Sequence, residues 1–219
     1  FPNSKYYTTV KPSYLVIVGP ELWLPDMPER TIKNRTQLYN NLVEKTDWKL
    51  TIFFPYEAKK ATWMIEKLAE NQQISLQFFN KTPVEGLSSV NRFFYGKGWG
   101  MPRPHNVLIP SLMLTLNAGF KEIFIVGADH SWLEELTVNE KNEALLHQKH
   151  FYDEDSSKPN YMYQLGRRPR RLYEILEKFM LTFKAYFEIE TYAQSIGIKI
   201  WNATPKSFID AFERKPLPQ

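Results

Sequence analysis

The feature that most constrains this 219-residue chain is a short apolar run that ends abruptly in polar residues. Ile123 to Val126 are consecutive apolar residues, Gly127-Ala128 follows, and Asp129, His130 and Ser131 then stand side by side. A wholly apolar run bounded by glycine is typical of a strand buried on both faces of a parallel sheet. Open α/β sheets bind ligands at the carboxyl ends of such strands. The polar residues are therefore predicted to lie at a functional site.

Strand-like and helix-like patterns alternate along the rest of the chain. Apolar runs predict further strands at residues 14–18, 50–54, 74–79 and 198–201. Helical spacing of apolar residues predicts helices at residues 31–45, 57–71, 107–117, 171–196 and 206–214. Strands separated by helices of this length indicate βαβ units, so we expect an α/β fold with a mostly parallel sheet flanked by helices.

Two stretches interrupt this alternation. Residues 80–104 are rich in glycine and proline, and residues 132–170 carry acidic and then basic groups without a clear strand. Long irregular segments in a compact domain are usually functional lids or disordered. Residues 132–170 directly follow the Asp129 strand, which makes them a candidate lid over the site.

Composition excludes several function classes. The chain has no cysteine, which removes disulfides, thiolate catalysis and thiolate metal sites. No apolar run is long enough to span a membrane. The net charge of +4 is only mildly basic, so it favours anionic substrates or an anionic membrane surface and argues against a nucleic-acid partner.

Asp129 and His130, at the end of this strand, each have two interpretations. Asp129 could bind a hydroxyl group or a metal, or its carboxylate could cap nearby backbone amides. His130 could act as a base, because imidazole titrates near neutral pH, or it could pack beside Trp132. Ser131 would take part in substrate binding.

Two histidines in the candidate lid offer a second source of chemistry. His147 and His150 lie three residues apart and precede Asp153, Glu154 and Asp155. The spacing could suit a metal, but no strict metal motif is present, and acidic runs are usually solvated surfaces. A lid histidine acting as a general base is the favoured interpretation, and we predict no metal site.

Three further groups could bind an anion or a substrate. The arginine-rich segment 166–171, which includes Arg167, crowds guanidinium groups at a helix start, where they could bind phosphate or carboxylate or simply be solvated. Arg103, His105 and Asn106 precede the predicted 107–117 helix and could serve an anion, although Asn106 could instead cap that helix. Asn202 follows the last strand, and Thr204 is interpreted as the cap of the terminal helix.

These segments resemble a known group of bacterial proteins. The sequence Asn117-Ala-Gly-Phe-Lys-Glu-Ile-Phe-Ile-Val-Gly-Ala-Asp129 is similar to the helix-Gly-Tyr-Lys-Glu-Ile-strand-Gly-x-Asp segment of family-42 sialyltransferases. It is equally similar to the related motility-accessory-factor and methanopterin-pyrophosphokinase-like domains. Tyr14 to Leu24 and the chain end, with Asn202 and Ser207 to Phe212, resemble further segments of the group. The sequence Gly-Ala-Asp-His-Ser-Trp is most similar to that of bacterial members thought to serve the synthesis of surface polysaccharides, such as capsule or lipopolysaccharide.

The resemblance implies a cytoplasmic glycosyltransferase with a single Rossmann-like domain over residues 1–219. Such an enzyme needs no metal or other cofactor and uses a nucleotide-activated sugar, such as a CMP-linked nonulosonic acid, with a glycan acceptor. His150 best matches the lid base of the family, and lid side chains would stabilise the leaving phosphate. Candidates for that role are Tyr152, Tyr161, Tyr163 and Arg167. Peripheral contact with the inner membrane and a homo-oligomeric state are left open.

The sequence departs from the family at two positions. The family opens with a strand and a Gly-x-Gly-Pro-Ser loop that cradles the nucleotide, and these 219 residues contain no such loop. We expect that the sequence begins after that loop or that the nucleotide site is degraded. Gly19 stands where the family has Asn or Asp. A pyrophosphokinase-like phosphotransferase and a non-catalytic module of a polysaccharide assembly system therefore remain as alternatives.

Overall fold

The computed structural model describes residues 2–146, 161–164 and 168–218. They belong to two compact units, which are described separately. Unit 1 comprises Phe1–Met101 and Asn106–Ser111, and unit 2 comprises Pro102–His105 and Leu112–Gln219. The single Rossmann-like domain expected from the sequence stays a prediction.

Unit 1 is built around a parallel sheet of three strands. Its strands are β1 (Tyr14–Val16), β2 (Leu50–Pro55) and β3 (Ile74–Phe79), in the order β1-β2-β3. Tyr14 pairs with Thr51, and Leu50 pairs with Ile74. Its helices are α1 (Tyr7–Val10), α2 (Glu29–Lys45), α3 (Thr62–Ala69) and α4 (Ser88–Gly96). Because α2 and α3 connect successive parallel strands, the unit contains the predicted βαβ arrangement.

The core of unit 1 forms where the central strand meets the helices. Leu50, Ile52 and Phe54 of β2 are fully buried, as the apolar sequence of that strand predicts. They share one cluster with Leu42 of α2 and Met64 of α3, together with further aromatic residues. The alternating burial of β3 reflects its position at the sheet edge.

Unit 2 contains a second parallel sheet. Its strands are β4 (Glu122–Ile125), β9 (Lys199–Asn202) and β10 (Glu213–Arg214), in the order β10-β9-β4. The long helix α6 (Leu172–Ser195) contacts β9. The helix α5 (Leu108–Asn117) belongs to unit 1 up to Ser111 and to unit 2 from Leu112. Two short antiparallel pairs complete the unit: β5 (Leu136–Val138) with β6 (Ala144–Leu146), and β7 (Tyr163–Gln164) with β8 (Arg168–Pro169).

The α/β class and the parallel strands are confirmed, but three predictions outside the strands are wrong. The terminal helix at 206–214 is absent: turns lead to β10, and Lys206 adopts a positive φ of 53°, which a helix excludes. The irregular stretch 80–104 contains helix α4. The helix predicted at 57–71 is divided into a 3-10 helix, Tyr56–Lys60, and α3.

The candidate lid is only partly described. Within 132–170, the structure shows the short strands β5 to β8, whereas residues 147–160 and 165–167 lie outside the described residues. Among the helices that the structure describes, none has both the length and the apolar character required to cross a bilayer.

Candidate functional site at the carboxyl end of strand β4

Two loops meet at the carboxyl edge of the sheet in unit 2, one after β4 and one after β9. The Ala128 amide donates a hydrogen bond to Thr204 Oγ1 at 3.1 Å. Ser207 Oγ donates to the Ala128 carbonyl at 2.6 Å, and the Phe208 amide donates to the Asp129 carbonyl at 2.6 Å. These bonds fix the backbone on which Asp129 stands. The parallel pairing of β4 with β9 brings both loops to the same edge.

Asn202 organises the loop after β9 from inside the protein. Its side chain is only 1% exposed. Its Nδ2 donates to Ser207 Oγ at 3.1 Å and to the Ile209 carbonyl at 3.0 Å, while its Oδ1 accepts from the Thr204 amide at 3.1 Å. Asn202 therefore lies at the predicted edge, but its amide binds the protein's own loop. Thr204 does not cap a helix as predicted, because no helix follows.

The Arg214 side chain closes this loop from β10. Its guanidinium donates to the Thr204 carbonyl at 3.0 Å and to the Ile209 carbonyl at 3.4 Å, and it also donates to the Ser207 carbonyl. A planar guanidinium with several donors suits this set of carbonyl groups better than an ammonium group would. The loop is thus held from two sides, by Asn202 and by Arg214.

Asp129 presents an exposed carboxylate at this edge. Its Oδ2 accepts hydrogen bonds from Ser131 Oγ at 2.7 Å and from the Ser131 amide at 3.3 Å. The hydrogen bond from the Ser131 hydroxyl holds the pKa of Asp129 below its ordinary value, so the carboxylate is ionised at neutral pH. The capping interpretation of Asp129 is correct, and the carboxylate remains accessible to a ligand.

His130 turns inward between Asp129 and Ser131. Its backbone adopts the left-handed region, with φ of 54°. The ring stacks on Trp132 with a centroid distance of 4.1 Å, and a hydrogen bond of 2.6 Å joins its Nε2 to Tyr186 Oη. Burial lowers the pKa of His130 to about 4, although the nearby Asp129 carboxylate favours the protonated form. The imidazole is therefore neutral at pH 7, and of the two interpretations the structure shows packing beside Trp132.

An open groove lies beside this loop. It has a volume of about 620 Å³ and is lined by Leu133, Phe183, Lys184, Phe187, Phe208 and Asp210. Two of these residues connect the groove with Asp129. The Phe208 amide donates to the Asp129 carbonyl, and Leu133 ends the 3-10 helix Ser131–Leu133, which begins two residues after Asp129. Four of the six lining residues are apolar, three of them phenylalanines, and Lys184 and Asp210 supply one charge of each sign.

The described lid residues make contacts of their own. Tyr161 Oη donates to Glu143 Oε2 at 3.0 Å, and this hydrogen bond raises the pKa of the Tyr161 hydroxyl. The Tyr161 and Tyr163 rings lie 5.9 Å apart. The two tyrosines predicted to bind substrate are therefore brought together. The lid candidates His147, His150, Tyr152 and Arg167, and the acidic run Asp153 to Asp155, lie outside the described residues.

An ion pair occupies part of the predicted anion site at 166–171. The Arg168 guanidinium donates two hydrogen bonds to the Glu174 carboxylate, at 2.8 and 2.7 Å. Glu174 also accepts from the Arg171 amide at 2.8 Å, which satisfies a backbone donor at the start of α6. The bonds from Arg168 and Arg171 lower the pKa of Glu174 to about 2. Arg168 thus stabilises the start of α6.

Arg103, His105 and Asn106, which precede α5, were predicted to bind an anion, with a helix-capping role as the alternative for Asn106. Asn106 Oδ1 accepts a hydrogen bond from the Ile109 amide at 3.2 Å, so the capping interpretation of Asn106 is correct. Arg103 is exposed, His105 is partly buried, and the His105 amide donates to the Arg103 carbonyl at 2.9 Å. Their role toward an anion stays a prediction.

Sequence reasoning missed several residues that shape the site. Tyr186, Ser207, Phe208 and Arg214 are distant from Asp129 in sequence, and only folding brings them near it. Tyr186 lies seven residues after Phe179 on α6, a helical spacing that could have indicated a core position but not the contact with His130. No cluster of three or more metal-ligating side chains is found among residues 2–146, 161–164 and 168–218.

Comparisons with protein-family models, with curated proteins and with solved structures each give no match for this chain. The family resemblance therefore stays a prediction, and the case for function depends on the residues themselves.

Proposed function

We propose that this chain is a glycosyltransferase domain that takes its donor from a nucleotide-activated sugar, with Asp129 holding the acceptor. The observation that carries the proposal is the accessible, ionised Asp129 carboxylate at the carboxyl end of β4. Its backbone is fixed by hydrogen bonds to the loop after β9, and an aromatic groove lies beside it. Ligands of open α/β sheets bind at this position.

The chemistry of the site suits a polyhydroxylated ligand. An ionised carboxylate accepts hydrogen bonds from hydroxyl groups more strongly than a neutral oxygen does. The rings of Phe183, Phe187 and Phe208 offer apolar surface for the C–H face of a sugar, while Lys184 and Asp210 can bind its hydroxyls. Because its pKa is lowered, Asp129 is a weak base and serves to orient the acceptor.

In the transfer step, the bond between the anomeric carbon and the phosphate oxygen breaks, and the nucleotide leaves with the electron pair. The acceptor hydroxyl oxygen forms the new bond to that carbon and gives its proton to a base. We assign that base to His150, following the family resemblance, because His130 is buried and its pKa is about 4. Tyr161, Tyr163 and Arg167 are the candidates for stabilising the leaving phosphate.

Nucleotide titration tests the donor class. Calorimetry with CMP, ATP and GTP, each with and without magnesium, should show binding of CMP that needs no metal. Magnesium-dependent ATP binding would support the pyrophosphokinase alternative instead. No binding of any nucleotide would support the non-catalytic module.

A matched pair of variants tests the role of Asp129. With CMP-sialate and a panel of glycan acceptors, transfer should fall about 100-fold or more in Asp129→Asn, the scale expected when a positioning group is lost. Asp26→Asn changes an exposed aspartate in unit 1 and should leave transfer unchanged. Equal activity of the two variants would exclude Asp129 from the reaction, and full activity of His150→Ala would exclude the proposed base.

A further inference from the structure

A second surface, in unit 1, exposes large apolar side chains at and beyond helix α4. Leu87 is 75% exposed, Val90 47%, Phe93 54% and Trp99 55%. Phe94 completes the group: the rings of Phe93, Phe94 and Trp99 lie 5.9 to 6.0 Å from one another. We call these five residues the α4 aromatic patch. Exposed apolar patches on folded proteins usually mark interaction surfaces.

The opposite side of α4 fixes the patch on the protein. Asn91 and Tyr95, four residues apart, are buried, and Tyr95 Oη donates to the Val84 carbonyl at 3.1 Å. The Trp99 amide donates to the Phe94 carbonyl at 3.0 Å, and Asn80 Nδ2 donates to the Trp99 carbonyl at 2.8 Å. The exposed rings are therefore presented by an ordered backbone. Phe93 follows Asn91 by two residues, which places it on the solvent side of the helix.

Within the segment that carries the patch the charges are positive, and the exposed Glu85 directly precedes that segment. From Gly86 to Pro102 the sequence contains Arg92 and Lys97 and neither aspartate nor glutamate. Both cations are exposed. Lys81, just before this segment, lies 3.8 Å from the Glu57 carboxylate and is not counted with them. The patch thus combines aromatic and aliphatic groups with two exposed cations of the same segment, Arg92 and Lys97.

We propose that the α4 aromatic patch binds the surface of an anionic lipid bilayer. Aromatic rings, above all tryptophan, partition to the boundary between headgroups and acyl chains, while lysine and arginine bind acidic headgroups. A second copy of the chain suits the patch less well. In a two-fold symmetric contact, the Arg92 and Lys97 borders of both copies would lie at one small interface and repel each other.

Vesicle sedimentation tests the proposal without reference to enzymatic activity. The whole chain is mixed with vesicles of phosphatidylcholine alone or with one quarter phosphatidylglycerol. Each basic residue at a membrane surface strengthens binding by roughly 5-fold, so two should give a preference of about 25-fold for the anionic vesicles. Raising the salt to about 0.5 M should remove most of that preference.

Three variants separate the apolar from the electrostatic contribution. The double variant Phe93→Ser/Trp99→Ser should lose binding to both vesicle types by at least 10-fold, whereas Arg92→Gln/Lys97→Gln should lose only the anionic preference. The control Phe120→Ser/Val138→Ser changes apolar residues of similar exposure in unit 2 and should bind as the unchanged chain does. Circular dichroism and thermal melting verify that each variant is folded.

The proposal is overturned if the unchanged chain fails to sediment with anionic vesicles, or if Phe93→Ser/Trp99→Ser binds them as tightly as the unchanged chain. It is also overturned if analytical ultracentrifugation shows a dimer that this variant converts to a monomer, because a second copy would then cover the patch. Failure of nucleotide binding, by contrast, would leave this membrane contact intact.

Discussion

At the scale of single residues, His130 shows how burial outweighs a favourable charge. The exposed Asp129 carboxylate next to it attracts a proton, yet stacking on Trp132 and enclosure beside Tyr186 remove the water that would stabilise an imidazolium. The result is a neutral ring with a pKa of about 4 in place of 6.5. His130 therefore stabilises the Asp129 loop by packing against Trp132 and Tyr186.

This shift predicts how stability depends on pH. The unfolded chain binds a proton at His130 below about pH 6.5, but the folded chain does so only near pH 4. Stability from the neutral ring is therefore complete above about pH 6.5 and is lost as the pH falls toward 4, by about 2 kcal/mol at pH 5. Asparagine tolerates the left-handed backbone, so His130→Asn should lack this loss.

Urea unfolding of the unchanged chain and of His130→Asn between about pH 5 and pH 8 measures this effect. The difference in the free energy of unfolding between the two proteins should be largest at pH 8 and should shrink as the pH decreases. Parallel curves would contradict the assignment. An NMR titration of the His130 ring gives its pKa directly.

Asn202 offers a second prediction at this scale. Its buried amide satisfies Ser207, Ile209 and Thr204, so Asn202→Ala removes hydrogen bonds and leaves their partners unsatisfied. We expect a loss of about 2–4 kcal/mol in the free energy of unfolding, measured by chemical denaturation. A residue that served only to bind substrate would leave stability unchanged when replaced.

At the scale of elements, the segment before helix α4 and the segment after it pair closely through their backbones. The amides of Val84 and Met101 donate to the carbonyls of Met101 and Thr82, at 2.9 and 3.0 Å. Gly100 lies against this pairing: a Cβ on it would be 2.9 Å from the Thr82 carbonyl oxygen and would overlap the Val84 side chain. Gly100 is not among the residues with positive φ, so space and not backbone conformation requires glycine.

Gly100→Ala should therefore destabilise the chain by about 1–3 kcal/mol through overpacking. Val84→Ala removes the methyl group that the new Cβ would meet, so the double variant should be more stable than the sum of the two single effects allows. Thermal or urea unfolding of all four proteins in this cycle measures the coupling. Additive losses, or a Gly100→Ala variant as stable as the unchanged chain, would rule out this explanation.

The elements differ in how well the sequence predicted them, for physical reasons. The short apolar run of β2 forms a buried parallel strand, as predicted. The run at Ile123 to Val126 also forms a parallel strand, but its burial alternates and Val126 is 58% exposed, so the prediction of a strand buried on both faces is wrong for β4. In 206–214 the spacing is helical, but Asn202 and Arg214 bind the loop carbonyls in a conformation that excludes a helix. Helix α4 was missed because glycine and proline surround it and its outward face is apolar.

The sequence predicted where the candidate site lies in the fold, but not how its side chains are arranged. A strand end is visible in sequence, so Asp129 and Ser131 were placed correctly at the carboxyl edge of β4. The burial of His130 depends on Tyr186, which lies 56 residues away. Contacts between residues so distant in sequence arise only from the tertiary fold, and no local sequence pattern predicts them. The role of His147 and His150 stays a prediction because both lie outside the described residues.

At the scale of the whole molecule, the chain contains two compact units, and each has its own three-stranded parallel sheet. The residues that fix the backbone of Asp129 and of the Ala128 before it, Thr204, Ser207 and Phe208, all belong to unit 2.

The bonds between the loops after β4 and β9 also affect the exchange of amide hydrogens with solvent. Amides in surface loops normally exchange within seconds, because small local motions expose them. The Ala128 amide belongs to a loop, but Ala128 is buried. The amide donates to Thr204 Oγ1, which is 76 residues away in the sequence. It should exchange as slowly as the amides of β9, and Asn202→Ala should accelerate it. The loop that carries Asp129 would then keep its shape for as long as the sheet itself remains folded.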